Sequence, residues 1–288
     1  MPAHIARAFN TFTLAVLLAS WAVPCPAQGD ARRGAYLAKA AGCAGCHTAG
    51  EQAPPYAGGR ALKTPFGTFY GPNITPHQQA GIGRWTEADF MTAMRHGQRP
   101  DGANYFPAFP YPSFTRIADS DLRDLWAYLR TLPPNARASQ PHDLRFPYGF
   151  RFLVTFWKWL YFTPGPSMAH SNDPAVARGA YLVEALGHCG ECHTPRDLLG
   201  GPKRSHALAG GKGPEDKRVP NITPAGLKQW SNADLKDFFL TGTMPDGDSV
   251  SGAMGEVVRN TTSQLTPADL ASVIAYLRSL PPIADEPK

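Results

Sequence analysis

The sequence contains no run of lysine or arginine, and its formal net charge is only +5. Nucleic-acid binding, which needs a basic patch, leaves no footprint in it. Cysteine is scarce, five in 288 residues. Apolar runs are short. TFTLAVLLASWAV at 11–23 and FRFLVTFWKWLYF at 150–162 each fall below the ~20 residues a membrane-spanning helix needs. No convincing period-2 alternation marks a strand, so the reading is all-α. What the chain has in quantity is 28 glycines and 29 prolines, which predict many loops and short helices. At 43% apolar residues it can fill two modest cores or one large one.

The N-terminus reads as an export signal. His4 and Arg7 form a short basic region, residues 11–23 an apolar core, and Cys25-Pro26-Ala27 places small residues where a signal peptidase cuts. Cleavage is expected after Ala27, making 1–27 a signal peptide and the location periplasmic. Cys25 leaves with it. The other four cysteines form two pairs of identical spacing, Cys43/Cys46 and Cys189/Cys192, each followed by histidine in CAGCH and CGECH. None remains for a structural disulfide or a thiol nucleophile.

Internal repetition organises the rest. RGAYL occurs at 33–37 and 178–182, CxxCHT at 43–48 and 189–194, and PNITP at 72–76 and 220–224. AYLRTLPP at 127–134 parallels AYLRSLPP at 275–282. Two tandem domains are expected, 28–134 and 173–288, joined by an aromatic-rich linker at 135–172. Asp173-Pro174 and Thr266-Pro267 read as helix starts. Thr86/Asp89 and Ser231/Asp234 open a middle helix in each unit, and Leu-Pro-Pro closes each last helix. The linker run at 150–162 is expected to be a short aromatic helix packed across both domains, with docking to a partner or membrane surface as its rival role.

In C-x-x-C-H, two thiols can form thioethers with the vinyl groups of one haem, and the adjacent histidine is held under the iron. The spacing reads as c-type haem attachment. Thioredoxin-like cysteines or half a zinc site would call for a βαβ pattern or a second Cys/His pair within each unit, and neither occurs. Two covalently bound haem c groups are therefore expected, on Cys43 and Cys46 with His47 as ligand, and on Cys189 and Cys192 with His193. A ligating histidine usually gives its other N–H to a fixed acceptor. Pro72 and Pro220 resemble the Pro-Asn loop whose carbonyl does this in class I cytochromes c.

On the far side of the iron a methionine sulfur is common. Met254, in a Gly-flanked loop, fits the second unit better than Met244. Aligned from the shared Asp101-Gly102 and Asp246-Gly247, Met254 faces Phe109, and a phenyl ring cannot donate to iron. For the first unit Met91, Met94, His96 or an open site behind Tyr105, Phe106 and Phe109 all remain.

The two CxxCH motifs, GPNIT, GIGRWTEADF, RPDGANYFPAFPYPSF, HCGECHTPRDLLG and AYLRSLPP together resemble the cytochrome c subunits of bacterial periplasmic alcohol, aldehyde, gluconate and nicotinate-type dehydrogenases. The resemblance covers nearly the whole mature chain. It implies tandem class I cytochrome c domains. It also implies a catalytic dehydrogenase subunit as electron donor and quinone or another cytochrome as acceptor; for this chain a cytochrome or oxidase is the expected acceptor, with membrane association only through a partner. Many members carry a third haem domain and some a hydrophobic C-terminal segment. Two domains here favour a soluble single-electron carrier. The alternative is a peroxidase-like enzyme with an open first haem, for which His96 is the candidate acid/base. A gas-sensing module ranks last, for want of a signalling domain.

Overall fold

The computed structural model describes residues 29–165, 171–212 and 218–285. The expected signal peptide and Cys25 lie outside the described residues. Asp30 opens α1 (Ala31–Ala40) by accepting the N–H groups of Arg32 and Arg33. After α2 (Cys43–His47) come two short strands, then α3 (Glu87–His96), α4 (Tyr111–Phe114) and α5 (Asp119–Thr131). The linker contributes α6 (Phe152–Tyr161). The second unit follows with α7 (Pro174–Ala180), α8 (Gly190–His193), α9 (Asn232–Thr241), α10 (Gly252–Asn260) and α11 (Pro267–Ser279). The sequence-predicted starts recur in the structure. Thr86 with Asp89, and Ser231 with Asp234, form complete capping boxes. Asp173 caps α7, and Thr266 caps α11.

The all-α expectation needs correction. β1 (Ala61–Thr64) and β2 (Gly67–Tyr70) form an antiparallel hairpin, with Ala61 opposite Tyr70 and Thr64 opposite Gly67, and β3 (Asp143–Leu144) of the linker pairs with β2. In the second unit β4 (Gly211–Lys212) pairs with β5 (Arg218–Val219). Strands of two to four residues are too short to show an alternation in sequence. They matter because they tie the linker to the first unit. Phe69 of β2, Phe106 and Val154 of α6 bury one another in a small satellite core.

The RGAYL repeat explains how each unit closes and how the two units meet. In each, the glycine lets the first helix cross the last at contact distance. A β-carbon on Gly34 would lie 1.9 Å from the carbonyl oxygen of Asp124, and one on Gly179 would lie 1.9 Å from that of Ser272. The arginine binds carboxylates of the last helix: Arg33 pairs with Asp121 at 2.5 Å and with Asp124, and Arg178 grips Asp269 bidentately at 2.8 and 2.7 Å. The tyrosine reaches across to the other unit. Tyr36 donates to Asp269 at 2.5 Å, and Tyr181 donates to Asp121 at 2.7 Å. Each unit's first helix thus completes the ion pair of its neighbour, and one apolar core containing Leu37, Leu122, Leu186 and Leu277 runs through both.

The repeats differ by one residue here: five separate Leu37 from Cys43, and six separate Leu182 from Cys189. The structure absorbs the extra residue as a π-helical turn, Tyr181–Leu186.

The Arg178 hydrogen bonds, followed by that of Tyr36, hold the Asp269 carboxyl below its usual range despite burial. Its folded value lies below the unfolded one near 3.9. Its stabilisation is therefore complete above that pH and lost as pH falls through the folded value. With Arg178 partly exposed, Asp269→Asn is expected to cost about 2 kcal/mol at neutral pH. Below pH ~4 the gap from wild type should narrow. Guanidinium unfolding at pH 7 and pH 3 measures both.

Candidate haem sites

Each attachment motif lies on a short helix entered through left-handed backbone: Gly42 with φ 62° before Cys43, and His188 with φ 41° before Cys189. None of the four cysteines is paired in a disulfide. Burial pushes Cys43 and Cys189 up to about 12, away from the thiolate that Cys-x-x-Cys redox chemistry requires. Among the described residues, no three His, Cys, Asp or Glu side chains converge as a metal cluster. Neither rival to haem attachment gains support.

The histidines are held alike. His47 Nδ1 lies 2.7 Å from the Pro72 carbonyl oxygen, and His193 Nδ1 lies 2.8 Å from that of Pro220. A carbonyl only accepts, so the proton sits on Nδ1, and Nε2 is left with a lone pair. That tautomer is the one an iron ligand needs.

The loop carrying each carbonyl is pinned by the rest of PNIT. Asn73 Oδ1 accepts from the Thr75 N–H at 2.9 Å and hydroxyl at 2.7 Å, while its amide donates to the carbonyls of Asn135 and Arg137. Asn221 repeats this with Thr223 and with Ile283. Gly71 presses this loop onto the first motif, where a β-carbon would meet the Cys46 carbonyl oxygen at 1.8 Å. Sequence reasoning does not single out Thr75 and Thr223, although their recurrence in both repeats is a signal.

Of the candidates for the first unit's far side, Met94 is buried in the apolar core and Met91 packs against it. His96 is exposed at the C-terminal end of α3. Phe109 sits among Tyr105, Phe114 and Tyr111, at ring-centroid distances of 5.4, 5.8 and 6.3 Å. Tyr111 is fully buried, and its hydroxyl has no hydrogen-bond partner among the described residues. A buried unpaired hydroxyl costs about 1–3 kcal/mol. Its place beside the Phe109 loop fits a site completed by a group that is not protein. Met254 lies half-buried in the first turn of α10, whereas Phe109 precedes α4.

Each unit's far-side segment leans on the other unit's attachment motif. Phe114 stacks on His188 at 5.4 Å and 23°, and Ser113 reaches Glu191 of CGECH at 3.4 Å. In return α10 lies against α2, Glu256 accepts two hydrogen bonds from Arg60 at 2.8 Å, and Thr261 abuts Gly42.

A cytochrome c family model matches residues 31–133 and again 176–281. The chain is 48% identical over 262 residues to a diheme cytochrome c-type protein of Cereibacter sphaeroides, covering 88% of this chain and 87% of that one. It is 39% identical to the cytochrome c subunit of a quinone alcohol dehydrogenase of Gluconacetobacter polyoxogenes, covering 95% of this chain but 62% of that subunit. Against the gluconate 2-dehydrogenase cytochrome c subunit of Pantoea cypripedii it is 36% identical, covering 86% of this chain and 59% of the relative. The chain thus spans about three fifths of those dehydrogenase subunits. With both repeats matched separately and these identities running through both, the chain belongs to the cytochrome c family.

Proposed function

We propose that this chain is a periplasmic dihaem cytochrome c that passes single electrons from a partner dehydrogenase to a downstream acceptor. Its domains are 28–134 and 173–288, flanking the 135–172 linker, behind a signal peptide at 1–27. The observation that carries this reading is the matched pair of histidines, each with Nδ1 bonded to a loop carbonyl and Nε2 left free. Cys43, Cys46 and His47 would hold one haem c, and Cys189, Cys192 and His193 the other, with Met254 as the second ligand of the latter. When bound, these groups supply reversible one-electron chemistry. The chain's own part is to fix the imidazoles, exclude water and hold the two sites in one rigid core. The Phe114–His188 stack, directly before Cys189, gives the Phe109 loop a buried aromatic contact with the second motif. The dehydrogenase relatives support the choice of donor class.

Intact-mass analysis of the exported protein should show two added haems, and coulometric titration should take up two electrons. Bare protein, or one haem, would refute the reading. The peroxidase-like alternative draws on Phe109, whose ring cannot ligate iron, but its candidate acid/base residue, His96, is exposed at the end of α3. Paramagnetic resonance of the oxidised protein separates the two readings: a high-spin signal that turns low-spin in Phe109→Met marks an open first site. Two low-spin signals in the wild type would mean that a ligand other than residue 109 is in place.

A further inference from the structure

α10, the helix that carries Met254, begins without a cap of its own. It starts at Gly252 in left-handed backbone with φ 62°, and Ser251 before it makes no side-chain capping bond among the described residues. α9 and α11 each have one. A nine-residue helix without a cap depends on tertiary contacts to stay ordered. α10 has them on two faces. Val258, four residues beyond Met254 and on the same side of the helix, is buried in the second unit, where a β-carbon on Gly242 would lie 3.9 Å from it. Glu256 is two residues from Met254, so the two side chains leave the helix about 200° apart. It faces the first unit, where Arg60 Nη2 donates to both of its carboxylate oxygens at 2.8 Å.

Arg60 offers a fixed base for that bond. Two residues before it, the Gly58 N–H donates to the His47 carbonyl at 2.7 Å, and the Arg60 carbonyl accepts from the Gly71 N–H at 2.9 Å. The loop is therefore clamped to the first attachment motif, and through Glu256 it holds α10. The pair is 31% and 34% exposed, so its value lies in direction more than in stability. The repeat shows what it is for. Counted from Asp101 and Asp246, the counterpart of Glu256 is Tyr111. Counted from Gly58 and Gly210, whose N–H groups bond the carbonyls of His47 and His193 alike, the counterpart of Arg60 is Lys212. The copy with phenylalanine at the far-side position thus has a fully buried tyrosine and an exposed lysine there. The copy with a methionine to aim has a carboxylate held by a guanidinium.

We infer that Arg60, acting across the interface through Glu256, is a positioning residue of the second site: it fixes the rotation of α10 that turns Met254 into its own unit. The inference rests on Met254 as the ligand proposed above. The test is an imidazole titration of the oxidised, haem-loaded protein, followed by loss of the thioether-to-iron charge-transfer absorption that a methionine-ligated iron gives. Arg60→Ala and Glu256→Gln are each expected to lower the half-displacing imidazole concentration about fivefold, as for one partly exposed charge-assisted pair. Arg60→Ala/Glu256→Gln should go no further than either single variant, because both remove the same contact. Three outcomes overturn the inference: single variants that titrate like wild type, a double variant whose shift is the product of the two single ones, or a lower melting temperature with the imidazole midpoint unmoved. Met254→Ala separates the two readings. If the absorption survives that variant, the ligand assignment falls and the inference with it. If it is lost there while Arg60→Ala titrates like wild type, the inference alone falls.

Discussion

Met254→Ala is expected to lower the potential of one of the two haems by on the order of 0.1–0.2 V, a fraction of the ~0.8 V that axial ligands span. A thioether is a soft donor that favours the reduced iron, and losing it shifts the balance toward the oxidised form. Met254 is the sulfur that the repeat places opposite Phe109, in the first turn of α10. A spectroelectrochemical titration of the wild type should resolve two one-electron steps. In the variant the higher step should fall, the lower one stay, and the thioether-to-iron charge-transfer absorption disappear. If both steps stay in place, Met254 is not a ligand, and Met244→Ala becomes the next variant to titrate. Because Met254 is half-buried and outside the apolar core cluster, the fold should survive. An unchanged far-ultraviolet spectrum would check this.

Gly179→Ala and Gly34→Ala are each expected to cost about 2–3 kcal/mol of stability. Two effects oppose one another. Alanine in a helix interior gains about 1 kcal/mol over glycine in propensity. Against this, the added carbon would sit 1.9 Å from a backbone carbonyl oxygen of the crossing helix, which cannot rotate away as a side-chain tip would. Separating the helices costs about 3 kcal/mol, the upper end of the usual overpacking range and occasionally exceeded when the clash is with backbone, so overlap wins. The melting temperature should fall by roughly 3–5 °C for a chain of this size. Gly50→Ala, with nothing within 4 Å of the added carbon, serves as the control. Its effect should stay within about 0.5 kcal/mol. Wild-type melting of Gly179→Ala would mean that the crossing yields without cost, and that the RGAYL glycine is not there for contact.

Much of this was legible because local chemistry carries it. Capping residues sit three positions from their partners, and a histidine beside a cysteine pair needs no tertiary information to be noticed. The short strands were hidden because four residues cannot display an alternation. The inter-unit bonds were hidden because Tyr36 and Asp269 lie 233 residues apart, and no periodicity links them. The same holds for α6. Its run is apolar nearly all round, so its sequence reads equally well with any stripe facing out. The choice belongs to Val154, Arg151 and Lys158, through partners in the first unit.

From its sequence alone this protein was destined to be two copies of one short-helix unit, each presenting two thiols and an imidazole in a spacing that suits a covalently held haem. The sequence also set a position, 109 against 254, at which the copies cannot be chemically equal. What only the tertiary structure decided is that the copies are not beads on a string. Each lends a tyrosine to the other's ion pair, each rests its far-side segment on the other's attachment helix, and the linker turns its aromatics outward. Those outcomes depend on which buried groups find partners when two helical faces meet, and a buried polar group can be satisfied only where a specific neighbour arrives.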